Sequence, residues 1–269
     1  MGDGGGVPRR VVLAALGGVL ITGAAAAVAM AGGPDPAPFG GAPPSRPVPQ
    51  EAAPRRARAP RQRASMASRQ SAKAPATPVY YVHDGRKTVA LTIDDGPSPL
   101  YTPQILRVLD QHRVTAAFSM VGRNVARYPG IAREVAAAGH LIVNHTWSHA
   151  DLAFLPEAAM RDEVTRATAE IHAVTGWRPT LFRAPYGAWS PALLSYCAGQ
   201  GLTPLDWSVD PRDWARPGVT AIVQDILRST RTGSIILEHD GGGDRSQTVA
   251  ALKIVLPRLQ DEGFRFGLP

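Results

Sequence analysis

The sequence predicts an α/β fold built on parallel strands, either an open doubly wound sheet or a (β/α) barrel. From Thr88 onward, short runs rich in β-forming residues alternate with longer amphipathic segments. Strands that alternate with helices of this length are joined by right-handed crossovers and lie parallel. No Gly-x-Gly-x-x-Gly pattern follows the first run, so a dinucleotide-binding fold has little support.

Six strands and six helices account for the alternation. The predicted strands are residues 89–94, 116–121, 141–145, 181–184, 203–209 and 234–238. The predicted helices lie near residues 102–112, 129–138, 156–174, 191–199, 219–228 and 247–261. An apolar stripe at helical period supports the third helix and consists of Met160, Val164, Ala167, Ile171 and Val174.

Residues 1–31 are expected to be a signal peptide or a membrane anchor. Arg9 and Arg10 precede an apolar run that ends in the small-residue triplet Ala-Met-Ala, as at a cleavage site. The run exceeds the ~7 to 15 residues of a usual signal core and approaches the ~20 that span a bilayer, so an uncleaved anchor is the alternative. Its many Ala and Gly residues favour cleavage. Export by the Sec route, or by the twin-arginine (Tat) route, predicts a secreted or cell-envelope location.

Residues 32–78 are predicted to be a Pro-, Ala- and Arg-rich disordered linker, because they lack the periodic apolar residues that build a core. The linker carries eight basic and two acidic residues, whereas residues 79–269 carry 19 of each sign. The net charge of +7 therefore belongs to the tail, so no nucleic acid is expected as partner. Attraction to an anionic cell envelope is the functional interpretation, and a solvated linker of biased composition is the alternative. No obligate protein partner is inferred.

The single cysteine, Cys197, excludes an intramolecular disulfide. Stability must therefore come from an apolar core. Cys197 lies in the mostly apolar stretch Ala-Leu-Leu-Ser-Tyr-Cys-Ala and is predicted to be a buried small hydrophobe, not a nucleophile.

Two adjacent carboxylates, Asp94 and Asp95, end the first predicted strand just before Gly96 and Pro97. Successive residues of a strand point to opposite faces, so both can converge on one site only where the backbone turns. Convergence without a cation would raise one pKa by repulsion, which favours a metal ion at this point. An ordinary acidic turn is the alternative, since Asp-Gly is common in turns. The residues alone indicate only that one of the pair binds the ion.

His145 and His149 follow the third predicted strand in His-Thr-Trp-Ser-His. Four-residue spacing presents two imidazoles to one ion from a helical turn or a tight loop, with Asp or Glu completing the ligands. Chance placement of two of the seven histidines is the alternative. Their position at a strand end favours metal binding.

Three further polar clusters follow the fourth, fifth and sixth predicted strands. Arg183-Ala-Pro-Tyr-Gly supplies an arginine suited to pair with a carboxylate, and a backbone N–H, that of Tyr186, suited to face a developing oxyanion. Asp-Pro-Arg-Asp-Trp comes next, and His239 is a candidate general acid near neutral pH. The carboxyl ends of parallel strands share one face. Clusters after five such strands therefore predict a single active site.

At these five segments the chain resembles the NodB-type polysaccharide deacetylases of carbohydrate esterase family 4. The family's motifs occur in order from Thr88 onward, as Thr-Ile-Asp-Asp-Gly, His-Thr-Trp-Ser-His, Arg-Ala-Pro-Tyr, Asp-Pro-Arg-Asp-Trp and Leu-Glu-His. The resemblance implies a distorted (β/α) barrel with fewer than eight regular strands, the NodB homology domain, over residues 79–269. It also implies a divalent ion, Zn²⁺ first with Co²⁺ or Ni²⁺ as alternatives, held by Asp95, His145 and His149.

The same resemblance implies the remaining roles. Asp94 would be the general base, oriented by Arg183, and His239 the general acid, tuned by Asp213. The backbone N–H of Tyr186 would face the oxyanion. Substrate is implied to contact three further residues, of which the last two form an apolar pocket for the acetyl methyl group: Pro185, Trp214 and Leu237.

Two positions depart from the family's usual pattern. Ile93 stands where Phe is common, and Glu238 stands where the residue is usually apolar. Strand alternation places Glu238 on the opposite side from Leu237 and His239.

The implied activity is metal-dependent hydrolysis of N-acetyl groups from a polysaccharide, with release of acetate. Export and the basic tail favour N-acetylglucosamine units of peptidoglycan or of chitin-like oligomers. An O-acetyl xylan esterase with the same metal site and a non-catalytic wall-carbohydrate-binding protein are the alternatives. Retention of both Asp94 and His239 argues against the non-catalytic protein, whereas the motifs do not separate ester from amide.

Overall fold

The computed structural model describes residues 74–269. The predicted signal or anchor, residues 1–31, lies outside the described residues, as does the predicted linker up to residue 73. The last linker residues contact the folded domain, since Ala76 donates its backbone N–H to the carbonyl oxygen of Leu194 over 3.3 Å. Among the helices of residues 74–269, none combines the length and apolar character needed to cross a membrane.

Strands and helices alternate along this part of the chain. The strands are β1 (Thr88–Asp94), β2 (Ala117–Met120), β3 (Leu141–Asn144), β4 (Leu181–Phe182), β5 (Thr203–Pro204), β6 (Ile235–His239) and β7 (Arg265–Gly267). The helices are α1 (Thr102–His112), α2 (Gly122–Arg127), α3 (Pro129–Ala137), α4 (Glu157–Thr175), α5 (Pro191–Gln200), α6 (Val219–Ser229) and α7 (Ser246–Asp261). The short elements α2 and β7 were not predicted, because six and three residues are too few to display a period.

The strands form one parallel sheet in the order β5-β4-β3-β2-β1-β6, with β7 paired to β1. The predicted strand at residues 203–209 is regular only over its first two residues. Further on, Val209 bridges Ile236 of β6 and accepts the backbone N–H of Leu237 at 2.9 Å. This irregular segment joins the two ends of the sheet. The predicted distorted (β/α) barrel is therefore confirmed, and an open sheet is excluded.

The two faces of β1 separate the core from the barrel interior. The face turned to the helices belongs to the largest apolar cluster and carries Val89, Leu91 and Ile93. The other face carries Ala90, which packs with Ala117 in a small interior cluster. Because side chains alternate along a strand, Thr92 and Asp94 share the interior face with Ala90. The end of β1 thus delivers one carboxylate to the mouth of the barrel.

Helix α4 carries the predicted apolar stripe. Its buried residues are Met160, Val164, Ala167 and Ile171, and Val174 packs against the core from a partly buried position. Burying each of the larger side chains contributes about 1.5 to 3 kcal/mol, which fixes the helix against the sheet. Gly176 ends the helix with φ of 73°, in the left-handed region that favours glycine.

Cys197 lies in α5 and is completely buried among residues contributed by α4, β4 and α5. Burial raises the pKa of its thiol to about 12. The reactive thiolate is therefore scarce near neutral pH, and the prediction of a buried hydrophobe is confirmed.

Candidate metal and active site

The five polar clusters meet around one cavity of about 380 Å³ at the carboxyl ends of the strands. Arg183 and Asp213 are buried and lie behind its lining, and Pro185 is buried next to the lining residues Ala184 and Tyr186 without lining the cavity itself. Trp207 was not singled out from the sequence, although its position after β5 is a signal that could have found it. The cavity is lined by Asp94, Asp95, His145, His149, Ala184, Tyr186, Trp207, Asp210, Trp214, Leu237 and His239.

The turn after β1 brings the two neighbouring carboxylates to one cavity. Asp95 has φ of 76°, in the left-handed region, so the backbone changes direction directly after Asp94. The side-chain amide of Asn124 donates to the carbonyl oxygen of Asp95 at 2.8 Å and holds the turn. A Cβ atom at Gly241 would overlap this carbonyl, so the loop after β6 can pack on the turn only as glycine.

Asp95, His145 and His149 place one potential ligand atom each within 4.8 Å of one another. Oδ1 of Asp95 lies 3.5 Å from Nε2 of His145 and 3.0 Å from Nε2 of His149. Neither contact has hydrogen-bond geometry, so this buried oxygen has no hydrogen-bond partner in the described chain. Ligand atoms on a tetrahedral ion at about 2.0 to 2.1 Å are about 3.3 Å apart. The separations, the orphaned oxygen and the donor set of two imidazoles and a carboxylate all fit a shared divalent ion.

His145 is held in the tautomer that a metal site requires. Its Nδ1 lies 2.8 Å from the carbonyl oxygen of Arg183, and a carbonyl can only accept, so Nδ1 carries the proton. Nε2 therefore presents its lone pair to the cavity. The segment that leads to His149 is a tight loop, in which Thr146 has φ of 66° and its Oγ1 accepts the backbone N–H of His149 at 2.9 Å.

Arg183 is completely buried and holds one oxygen of Asp94. Its Nη1 donates to Oδ1 of Asp94 and to Oγ1 of Thr92, each at 2.8 Å, and Nη2 donates to the carbonyl oxygen of Asp206 at 2.9 Å. The other oxygen of Asp94, Oδ2, lies 3.8 Å from Nε2 of His145. Asp94 is thus fixed by the guanidinium on one side and adjoins the metal ligands on the other.

His239 lies opposite Asp94 in the register of β6 and β1, so both side chains point into the cavity. Its Nδ1 lies 2.7 Å from Oδ1 of Asp213, whose Oδ2 accepts the backbone N–H of His239 at 2.9 Å and the hydroxyl of Thr248 at 2.6 Å. Burial lowers the pKa of His239, but the hydrogen bond and charge of Asp213 outweigh burial and raise it to about 9. The imidazolium therefore persists at neutral pH.

Glu238 faces away from the cavity, as strand alternation predicted. Leu237 and His239 line the cavity and Glu238 does not. Its register partner Ile93 belongs to the core beneath the helices. Both carboxyl oxygens of Glu238 are buried and have no hydrogen-bond partner in the described chain. Burial, reinforced by the negative charge of Asp213, raises the pKa of Glu238 well above the usual range of a carboxyl.

The wall of the cavity away from the metal ligands is apolar. Leu237 is buried at its base, and the half-exposed Trp214 forms its rim. Arg245, which sequence reasoning missed, donates from Nη1 to the carbonyl oxygen of Trp214 at 3.2 Å and from Nε to that of Gly241 at 2.7 Å. This buried guanidinium positions the rim, and nothing in its sequence neighbourhood distinguishes it from a surface arginine.

Tyr186 packs beside the metal ligand His149 at the open side of the site. Its φ of 63° places the residue in the left-handed region within the turn Pro185–Gly187. The ring meets the His149 imidazole edge-on at 4.9 Å between centroids, and the side chain is 68% exposed. Tyr186 therefore lines the cavity while much of the residue remains open to solvent.

Comparisons with known proteins agree with this geometry. The polysaccharide deacetylase family matches residues 82–205. A chitooligosaccharide deacetylase of Bradyrhizobium sp. (strain ANU 289) is 45% identical over 192 residues, 67% of this chain and 88% of the relative. A peptidoglycan-N-acetylglucosamine deacetylase of Bacillus cereus is 39% identical over 191 residues, 70% of this chain and 88% of the relative.

The fold is shared with a solved member of the same group. The crystal structure of a peptidoglycan N-acetylglucosamine deacetylase superposes with a TM-score of 0.69 at 34% identity, over 70% of this chain and 89% of that one. The likeness thus extends over nearly the whole length of each relative. The chain belongs to the NodB-type polysaccharide deacetylases, carbohydrate esterase family 4.

Proposed function

We propose that this enzyme hydrolyses N-acetyl groups on the N-acetylglucosamine units of peptidoglycan or of chitin-like oligomers and releases acetate. The observation that carries the proposal is the meeting of Asp94, His239 and the Asp95, His145, His149 triangle in one cavity. Similarity to chitooligosaccharide and peptidoglycan deacetylases supports an N-acetylated glycan as substrate. Two imidazoles and one carboxylate favour zinc as the ion, with cobalt or nickel as alternatives.

The base side of the reaction is formed by Asp94 and Arg183. A divalent ion held by Asp95, His145 and His149 would supply Lewis acidity to a water molecule and to the acetamide oxygen. Asp94 takes the proton of the attacking water through Oδ2, the oxygen that Arg183 does not bind. Arg183 fixes the plane of this carboxylate, because its guanidinium has three further partners that hold it in place.

The acid side is formed by His239 and Asp213. His239 gives its proton to the amide nitrogen as the carbon–nitrogen bond breaks, so that a neutral amine and not an amide anion departs. The backbone N–H of Tyr186 faces the oxyanion. The acetyl methyl group rests against Trp214 and Leu237. The water oxygen ends in acetate, one water proton ends on Asp94, and the other passes to solvent as the acetic acid product ionises. The proton of His239 ends on the amino sugar, and transfer of one proton from Asp94 to His239 through solvent restores the enzyme.

The proposed location is outside the cytoplasm, secreted or attached to the cell envelope. It is supported by Arg9, Arg10 and the apolar run up to residue 31, which suit a Sec or a Tat signal. The basic linker suits attraction to an anionic envelope.

Acetate release from three substrates tests the proposal. The purified enzyme is incubated with peptidoglycan, chitooligosaccharides and acetylated xylan, each with and without a chelator. We expect acetate from at least one of the two N-acetylated substrates, its loss on chelation and its recovery on adding zinc. Acetate from xylan alone would identify an O-acetyl esterase. Binding of glycan without acetate from any substrate would identify a carbohydrate-binding protein.

A further inference from the structure

The cleft does not end at the metal ligands. A side cavity of about 390 Å³ opens beyond them and shares Asp95, His149 and Tyr186 with the active-site cavity. An outer cavity of about 180 Å³ continues it and shares Asn124 with the side cavity. The three adjoining cavities are treated as one groove, whose extension lies beyond the metal ligands on the side away from Trp214.

Two arginines of helix α2 line this extension of the groove. Arg123 lines the side cavity and Arg127 lines the outer cavity. Residues four apart project from one face of a helix, so the two exposed guanidinium groups follow each other along the groove. Among the described residues, no carboxylate lies within 4.0 Å of either guanidinium. Neither guanidinium is therefore neutralised by a carboxylate of the described fold, although that of Arg127 lies over the Tyr128 ring at 5.3 Å from its centroid.

The position of α2 is fixed relative to the metal ligands. The backbone N–H groups of Gly122 and Arg123 donate at 2.9 Å to the carbonyl oxygens of Thr146 and Trp147, inside the loop that carries His149. Asn124 binds the turn at Asp95. A Cβ atom at Gly122 would meet the Trp147 ring and the backbone of Ala167, which shows how closely the helix is packed. The arginines thus stand on a rigid support.

The extension is cationic on balance. Asp95 is the only acidic residue lining the side cavity, and none lines the outer cavity, as far as the described residues extend. The charge of Asp95 would be taken up by the ion that it helps to hold. The opposite end of the groove is apolar and aromatic, with Trp207, Trp214 and Leu237. A neutral sugar chain needs no cations, whereas a carboxylate is the natural partner of two guanidinium groups.

We propose that Arg123 and Arg127 form a subsite for an acidic substituent on the sugar next to the one that is deacetylated, which makes a carboxylate-bearing glycan the preferred substrate. Such a substituent is the lactyl group of N-acetylmuramic acid or the acidic stem peptide attached to it, so peptidoglycan fits and neutral chitin does not. This inference rests on the proposed function, since it concerns the same cleft.

Matched substrates separate charge from shape. The first is a tetrasaccharide of alternating N-acetylglucosamine and N-acetylmuramic acid with its lactyl carboxylates ionised, and the second is the same compound as the lactyl amide. The metal-loaded wild type should show a higher kcat/KM on the carboxylate, and added salt should reduce the difference. In Arg123→Gln/Arg127→Gln the ratio of the two kcat/KM values should fall by about 5- to 10-fold.

Arg133→Gln is the matched control, because Arg133 is an exposed arginine of the neighbouring helix α3 that lines none of the three cavities. In Arg133→Gln, the ratio of kcat/KM on the carboxylate to kcat/KM on the amide should equal that of the wild type. A third strand whose lactyl groups carry stem peptides distinguishes the two carboxylate sources. If carboxylates of the stem peptide reach the arginines, kcat/KM on this compound should remain higher than on the lactyl amide. If only the lactyl carboxylate reaches them, this preference should vanish.

The two proposals fail in different ways. A wild type that releases acetate without preferring the carboxylate, or a double variant with an unchanged ratio, would overturn the subsite and leave the deacetylase intact. Absence of acetate from every substrate would overturn the proposed function. In that case the subsite is tested by equilibrium binding of the carboxylate and amide tetrasaccharides to Asp94→Asn and to the same variant that also carries Arg123→Gln/Arg127→Gln. Tighter binding of the carboxylate only where both arginines are present would support the subsite.

Discussion

Nδ1 of His239 lies 2.7 Å from Oδ1 of Asp213, and the same carboxylate accepts the backbone N–H of His239 through its other oxygen. This double contact fixes both the ring and the strand end that carries it. Burial alone would lower the pKa of His239, and the carboxylate reverses that effect to give a value of about 9. His239 can therefore act as a proton donor over a pH range in which an isolated imidazole has already lost its proton.

Asp213→Asn should move the alkaline limb of the pH profile to lower pH. The acid must be protonated, so activity falls as pH rises through the pKa of His239. Without the negative charge of Asp213, the pKa of His239 drops from about 9 toward 6.5. Activity therefore begins to fall at a lower pH in the variant. The measurement is kcat/KM between pH 6 and pH 10 for the wild type and the variant. An unchanged alkaline limb would show that another group supplies the proton.

Asp94→Asn should separate the base from the metal ligands. We expect turnover to fall by about 10²- to 10⁴-fold, because general-base catalysis contributes about that much, while the metal content stays near that of the wild type. Asp95→Asn is the matched control, and it should lose bound metal together with activity. Acetate release and metal analysis of both variants decide the matter. Metal loss in Asp94→Asn, or retention in Asp95→Asn, would reverse the roles of the two neighbours.

The sequence was sufficient for the parts of the structure that depend on local pattern. The stripe of α4 and the burial of Cys197 follow from apolar periodicity and composition. The gathering of five polar clusters follows from the rule that parallel strands share a carboxyl-terminal face. Only the resemblance to a family, however, separated Asp95 from Asp94, because bare alternation cannot tell which of two adjacent carboxylates turns toward an ion.

The parts that sequence reasoning missed depend on contacts between distant segments. Closure of the barrel through Val209 requires an irregular strand that only its pairing with β6 defines. Thr92 and Asp206 support Arg183, and they come from β1 and from the irregular segment after β5, so no spacing reveals them. Arg245 is an ordinary arginine until the fold brings it beneath Trp214. Local pattern predicts elements and strand ends, and tertiary packing selects these partners.

Arg183→Met should destabilise the fold strongly. The substitution leaves Asp94 buried without its cation, and breaking a buried pair in this way costs about 3 to 5 kcal/mol. The free energy of unfolding is measured by urea denaturation, with the exposed Arg133→Met as control, which should change it by less than about 0.5 kcal/mol. Adding Asp94→Asn to Arg183→Met should recover part of the loss, since the stranded charge is then removed. Strictly additive effects would contradict the pairing.

Glu238→Leu should stabilise the enzyme, and more so at alkaline pH. Burial raises the pKa of Glu238, so the folded state holds a proton that the unfolded state has released above its ordinary carboxyl range. Wild-type stability therefore falls as pH rises from about 4.5 toward the raised pKa. Leucine removes both this pH dependence and two unpartnered buried oxygens. The substitution should therefore raise the free energy of unfolding by about 1 to 3 kcal/mol at pH 8 and by less at pH 5.

Urea denaturation of the metal-loaded wild type, Glu238→Leu and Glu238→Gln at the two pH values tests this expectation. Glutamine keeps a buried polar group but cannot ionise, so it should abolish the pH dependence without the full gain seen with leucine. A Glu238→Leu variant that is less stable than the wild type at both pH values would mean that the protonated carboxyl donates a favourable hydrogen bond to Asp213. Glu238, which stands where the family usually has an apolar residue, would then support the Asp213–His239 pair.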